Sequence, residues 1–142
     1  MTQEHNELLL IDICARLPYK VKIYIPELFT KKEQVETLNE IFKGKDNLYR
    51  VNDSGMLIEY IKPYLFHLSS MTNEQLFEVQ EILGKNEIEI GDGFLSIIDS
   101  DRNTITYLEI LAVLEWFYKN HFDISNLITM GLAIDATGLN IY

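Results

Sequence analysis

From Leu8 to Leu17 nearly every position is apolar, interrupted only by Asp12 and Arg16. That pattern predicts a helix over about Asn6–Arg16, largely covered by other elements and stopped by Pro18. Lys20–Ile25 then alternates: Val21, Ile23 and Ile25 face one way and Lys20, Lys22 and Tyr24 the other, which predicts a strand covered on one face and ended by Pro26. Asn47–Val51 and Met56–Ile61 read as short strands around the turn Asn52-Asp53-Ser54-Gly55, with Lys62-Pro63 breaking the pattern. The following stretch, Tyr64–Met71, is unusually apolar for a connection and is expected to lie over the core. Glu87–Ile90 alternates with both glutamates on the wet face, and Phe94–Ile98 pairs back on it as a hairpin across Gly91-Asp92-Gly93.

Three helix starts share one signature, a Thr followed three residues later by Glu or Gln: Thr30…Glu33, Thr72…Gln75 and Thr106…Glu109. In each, the hydroxyl can accept from an orphan N–H while the acid or amide reaches back. The first predicts a helix over about Lys31–Phe42 with a narrow stripe of Val35, Leu38, Ile41 and Phe42. The second predicts Asn73–Leu83, with Leu76, Val79 and Leu83 on one side, Glu74, Glu78 and Glu81 on the other, and Gly84 past its end. The third predicts about Tyr107–Asn120, the most apolar helix. Its stripe of Tyr107, Ile110, Leu111, Leu114, Phe117 and Tyr118 places it centrally in the core, with Trp116 on the opposite side near Glu109 and Lys119. Asp123 or Ser125 caps a short last helix ending at Gly131, and Leu132–Ala136 adds a final strand. This order predicts one α+β domain over residues 1–142: a small, largely antiparallel sheet with helices packed on one face, residues 30–44 being a helical insertion.

Composition narrows the class. The chain has 142 residues, of which 47% are hydrophobic and 24% charged, with seven Gly, three Pro and one Cys. Collagen-like and low-complexity chains are excluded. A disulfide framework is excluded too, as is any structural zinc site that needs two thiolates. The longest apolar run, Ile110–Leu114, is far too short to span a bilayer. The polar, acidic start from Met1 to Glu7 has no signal-peptide pattern, and the lone Cys14 fits the cytoplasm.

The net charge of −10 is unevenly placed: residues 1–71 carry −1 and residues 72–142 carry −9. Such a surface repels phosphate backbones and anionic membranes, so neither direct nucleic-acid binding nor membrane binding is expected. It suits a basic protein partner, with mimicry of nucleic acid as a special case, or serves simply as a solvated face. The pattern specifies no oligomeric state.

Several segments together resemble a known group. Leu17-Pro18-Tyr19, Ile61-Lys62-Pro63-Tyr64-Leu65, Ser69-Ser70-Met71-Thr72, His121-Phe122-Asp123 and Gly131-Leu132-Ala133 resemble short, uncharacterised proteins encoded by gut Bacteroidetes and by their phage-like and mobile elements. Residues 30–44 and 85–102 have no counterpart there. Lys20 stands where Gly is common in the group, Phe66-His67-Leu68 stands for Arg-Pro-Met, and Asn120 replaces the first of two His. The resemblance implies a shared fold and a genomic setting, and it brings no catalytic role with it.

Candidate chemistry is sparse. Asp99, Asp101 and Asn103 occupy the first, third and fifth positions of a calcium-loop pattern. The Gly required at the sixth is Thr104, and Glu109 falls one residue short of the bidentate position. A polar turn is the simpler reading. His121 precedes Asp123, which could orient it as a general base, or the pair caps the helix end. No nucleophile, phosphate-loop or cofactor signature is present, so no cofactor is predicted. Ser69–Thr72 ahead of a helix could meet an anion, but Thr72 more simply caps that helix. Trp116 on a polar helix side is either an interface anchor or covered by Leu139–Tyr142.

Two functions compete. The favoured one is a non-enzymatic accessory or interaction protein of a mobile or phage-like element. It would bind a basic partner through the acidic C-terminal half, with Trp116, Glu74, Glu78 and Glu81 as contact candidates. The other is a small metal-dependent hydrolase using His121, Asp123 and the Asp99–Asn103 loop.

Overall fold

A computed structural model describes residues 1–26, 34–84, 87–91, 94–98 and 106–142. Helix α1 spans Gln3–Arg16 and is capped by Thr2, whose hydroxyl accepts from the His5 N–H. Pro18 stops it by way of a tight 3-10 turn over Leu17–Tyr19. Strand β1 (Lys22–Ile25) follows. Val21, Ile23 and Ile25 are fully buried, as the alternation requires.

Residues 34–43 depart from expectation. They form strands β2 (Gln34–Thr37) and β3 (Ile41–Lys43), not a helix, and the first capping signature, Thr30…Glu33, lies outside the described residues. The reason is tertiary pairing. All four residues of β2 pair antiparallel with β1, from Lys22 opposite Thr37 to Ile25 opposite Gln34. Leu38, just beyond, is fully buried. A helix would leave that edge of β1 without its backbone partners.

Strands β4 (Tyr49–Val51) and β5 (Met56–Leu57) flank the expected turn and join β3 in an antiparallel three-stranded sheet. The second strand is shorter than predicted because Ile58–Tyr60 winds into a 3-10 turn. Strand β6 (Lys62–Leu65) contains Pro63, which the sequence pattern takes as a break. Pro63 lies opposite Ile23 of β1, near the start of β6, and the strand's other partner pairs only from Tyr64 onward. That partner is β9 (Ile134–Asp135), which runs parallel to β6, so one four-stranded sheet has the order β2-β1-β6-β9.

Helix α2 (Asn73–Ile82) and helix α3 (Tyr107–Lys119) both begin with complete capping boxes, at Thr72/Gln75 and Thr106/Glu109. Strands β7 (Glu87–Gly91) and β8 (Phe94–Ile98) form the expected antiparallel hairpin. The predicted last helix is only a turn: Asp123 accepts from the N–H groups of Leu127 and Ile128, and the turn ends at Gly131. The whole is a small α+β fold whose sheets are mostly antiparallel.

The buried apolar residues form two clusters. One gathers α1, β1, Leu38, Val51, Met56, Ile61, Leu65, Leu127 and Leu132. The other gathers Leu68, Val79, Leu83, Val113, Phe117 and Phe122. Helix α3 contributes only Val113 and Phe117 to full burial. Tyr107, Ile110, Leu111 and Leu114, expected in the core, are exposed, Tyr107 by about four-fifths. A helix that is apolar nearly all round does not declare its buried face. The side turned toward α2 and Phe122 decides it, and that side carries Trp116.

Candidate interaction surface and the buried joint behind it

A buried polar joint lies between the two clusters, where α1 meets the 121–123 segment. Arg16, fully buried, pairs with buried Asp12 one turn earlier in α1, Nε to Oδ2 at 2.6 Å and Nη2 to Oδ1 at 3.1 Å. The same Nη2 donates to the Phe122 carbonyl at 2.7 Å, and the Ser125 hydroxyl donates to Asp12 at 3.1 Å. The Tyr118 ring covers the guanidinium, 5.0 Å from its centre. Phe66 N–H donates to the His121 carbonyl and Asp123 N–H to the Phe66 carbonyl, so the 121–123 segment is stitched to the end of β6.

His121 and Asp123 both sit in this joint, the His121 Nδ1 buried without a hydrogen-bond partner. The imidazole stacks on the Tyr142 ring, centroids 3.9 Å apart and planes 11° from parallel. Burial, with Arg16 nearby, lowers its pKa to about 4, so the ring is neutral near pH 7. The Tyr142 hydroxyl donates to the Tyr64 carbonyl and accepts from the Lys22 N–H; burial pushes its pKa up to about 12. Asp123 uses both oxygens on Leu127 and Ile128. No hydrogen bond joins His121 to Asp123 among the described residues, and Asp99, Asp101 and Asn103 lie outside them. Among the described residues no group of three or more His, Cys, Asp or Glu could hold a metal ion. Burial pushes the Cys14 thiol up, away from the thiolate that nucleophilic chemistry needs. Ser69 and Ser70 spend their side chains on His67, and Thr72 caps α2, so the Ser69–Thr72 stretch is occupied by local bonds.

The surface candidates fall differently from expectation. Trp116 is half-buried: it stacks on Phe122 at 5.7 Å, meets Phe117 edge-on and donates through Nε1 to Glu78 at 2.9 Å. Its cover comes from α2 and Phe122, not from Leu139–Tyr142. Glu74, Glu78 and Glu81 are exposed on the outer side of α2, as the pattern predicts. Sequence reasoning missed Phe77 among them. It lies off the Leu76/Val79/Leu83 stripe, at i+3 from Glu74 and i−4 from Glu81, and is 61% exposed. Its helical position was the available signal.

The chain matches no family model, no curated protein and no solved structure. No helix among the described residues is long and apolar enough to cross a membrane.

Proposed function

We propose that this chain is a non-enzymatic accessory or interaction protein that docks a basic partner through its acidic C-terminal half. The observation that carries the reading is the outer face of α2, where Phe77 stands exposed between Glu74 and Glu81. A phenyl ring flanked by carboxylates suits Lys or Arg: the aliphatic stem lies on the ring while the cation meets the π face and the acids. Trp116, held by Glu78 and Phe122, supports this face from beneath and is not itself the anchor. The cytoplasm of a host carrying a mobile or phage-like element is the proposed setting, and it rests on the resemblance alone. The hydrolase reading draws no support from His121 and Asp123, because both Asp123 oxygens are taken by the Leu127 and Ile128 N–H groups and no hydrogen bond joins the two residues.

The test is affinity capture at low salt with the wild-type chain and the Glu74→Gln/Phe77→Ala/Glu81→Gln variant side by side. A basic protein retained by the wild type, released by salt and lost by the variant is the expected result. Identical retention by both chains overturns the reading.

A further inference from the structure

A second feature lies on the opposite side of α1 from the joint. Gln3, Asn6, Glu7 and Leu10 recur at i, i+3, i+4 and i+7 and form one face of α1, turned roughly half a revolution from Asp12 and Arg16. That face and the β4–β5 side of the three-stranded sheet flank an open cleft of about 340 Å³, within the range of small-molecule sites. The sheet side supplies Leu48, Tyr49, Leu57 and Ile58. The walls are thus largely apolar, and Leu48 and Tyr49 remain open to solvent.

Among the described residues, the charged groups lining the cleft are Glu7 and Glu59, beside the neutral amides of Gln3, Asn6 and Asn47. The Oδ1 of Asn6 is buried without a hydrogen-bond partner. The Glu7 carboxylate, which already accepts from the Gln3 amide at 3.0 Å, the Glu59 carboxylate and the unmatched Asn6 carbonyl can each take a further donor. The Tyr49 ring already receives one cation, the Lys43 ammonium at 5.6 Å. An anion would face both carboxylates, and a neutral hydrocarbon would leave the acceptors unanswered.

We propose that this cleft binds a primary amine carrying a small apolar body. The hydrocarbon part packs on Leu10, Leu48, Tyr49 and Leu57. The ammonium sits at the Glu7/Glu59 rim, with the Asn6 amide turned to accept from it. This assignment is independent of the α2 docking face.

The test uses isotope-labelled full chain and three probes of one shape: phenethylamine, phenethyl alcohol and hydrocinnamate, followed through backbone amide shifts. Phenethylamine is expected to saturate at about millimolar Kd or tighter, with shifts confined to residues 3–10, 47–49 and 57–59. The alcohol and the acid are expected to bind at least about tenfold more weakly, one factor of ten being one lost favourable contact of ordinary size. The Glu7→Gln/Glu59→Gln variant, altered only at exposed positions, weakens the amine about five- to thirtyfold. Leu48→Ala weakens all three probes, since it removes an apolar wall. Equal binding of the three probes, full retention by the double Gln variant, or no saturable shift at these residues up to about 10 mM amine each overturns the proposal.

Discussion

Arg16 Nη2 reaches the carbonyl of Phe122, 106 residues away in the chain, at 2.7 Å, while the same guanidinium is clamped by Asp12. This contact ties α1, which belongs to one apolar cluster, to the 121–123 segment, which anchors the other. Both side chains of the ion pair are withdrawn from water. Their mutual attraction and hydrogen bonds roughly offset desolvation, so removing one partner exposes the full cost of burying the other.

Arg16→Leu is therefore expected to destabilise the chain by about 3–5 kcal/mol, because it strands the Asp12 carboxylate and the Phe122 carbonyl. Asp12→Asn/Arg16→Leu is expected to lose less than the sum of the single variants. Urea denaturation of the four proteins measures the coupling; additive losses would show that the pair does not act as a unit.

The pH dependence follows from His121. An unfolded histidine titrates near 6.5, whereas the folded one titrates at about 4. Between those values the unfolded chain binds a proton that the folded chain refuses. Stability is thus fully present above about pH 6.5, falls as pH drops toward about 4, and levels off below. The half-buried ring is partly screened by water, which limits the loss to about 1–2 kcal/mol. His121→Asn keeps a residue tolerant of the observed φ of 61° while removing the titration. The stability difference between wild type and variant is expected to shrink over this range in pH-resolved urea melts. A constant difference would mean that His121 titrates normally in the fold.

The chain's single tryptophan offers an optical probe of the α2–α3 contact. Replacing Glu78 by Leu removes the acceptor of Trp116 Nε1 at a cost of about 1 kcal/mol. Acrylamide quenching is expected to be partial in the wild type, whose indole is covered on one side by Phe122, and stronger in the variant. Unchanged quenching would mean that Glu78 does not hold the ring.

Legibility in the sequence followed the range of the interaction. Local rules succeeded: the alternation of Val21, Ile23 and Ile25 placed β1, and Thr72 and Thr106 marked two helix starts by bonds made within one turn. Residues 34–43 defeated the same rules. Val35, Leu38 and Ile41 have helical spacing, yet pairing with β1, fixed by residues far earlier, outweighs it. For the candidate surface, the acids of α2 were readable, because a glutamate row seeks water whatever surrounds it. The packing of Trp116 was not, since a single helix does not say which neighbour will take its aromatic side. Asp12 and Arg16 looked like interruptions of an apolar run. Their role depends on a carbonyl more than a hundred residues away.

Lys20 carries a measurable strain. It adopts φ 56°, ψ 47° directly after the Leu17–Tyr19 turn, its side chain exposed. A side chain in this left-handed region costs about 1–2 kcal/mol, which glycine avoids, although the freedom glycine gives the unfolded chain offsets about 0.4–1 kcal/mol of that. Lys20→Gly is expected to gain about 0.5–1 kcal/mol net, raising Tm by about 2–4 °C. Lys20→Ala keeps the Cβ and removes the charge, so it should leave Tm unchanged. Calorimetry of the three proteins separates the causes: an equal rise in both variants would assign the effect to the lost ammonium, not to the backbone.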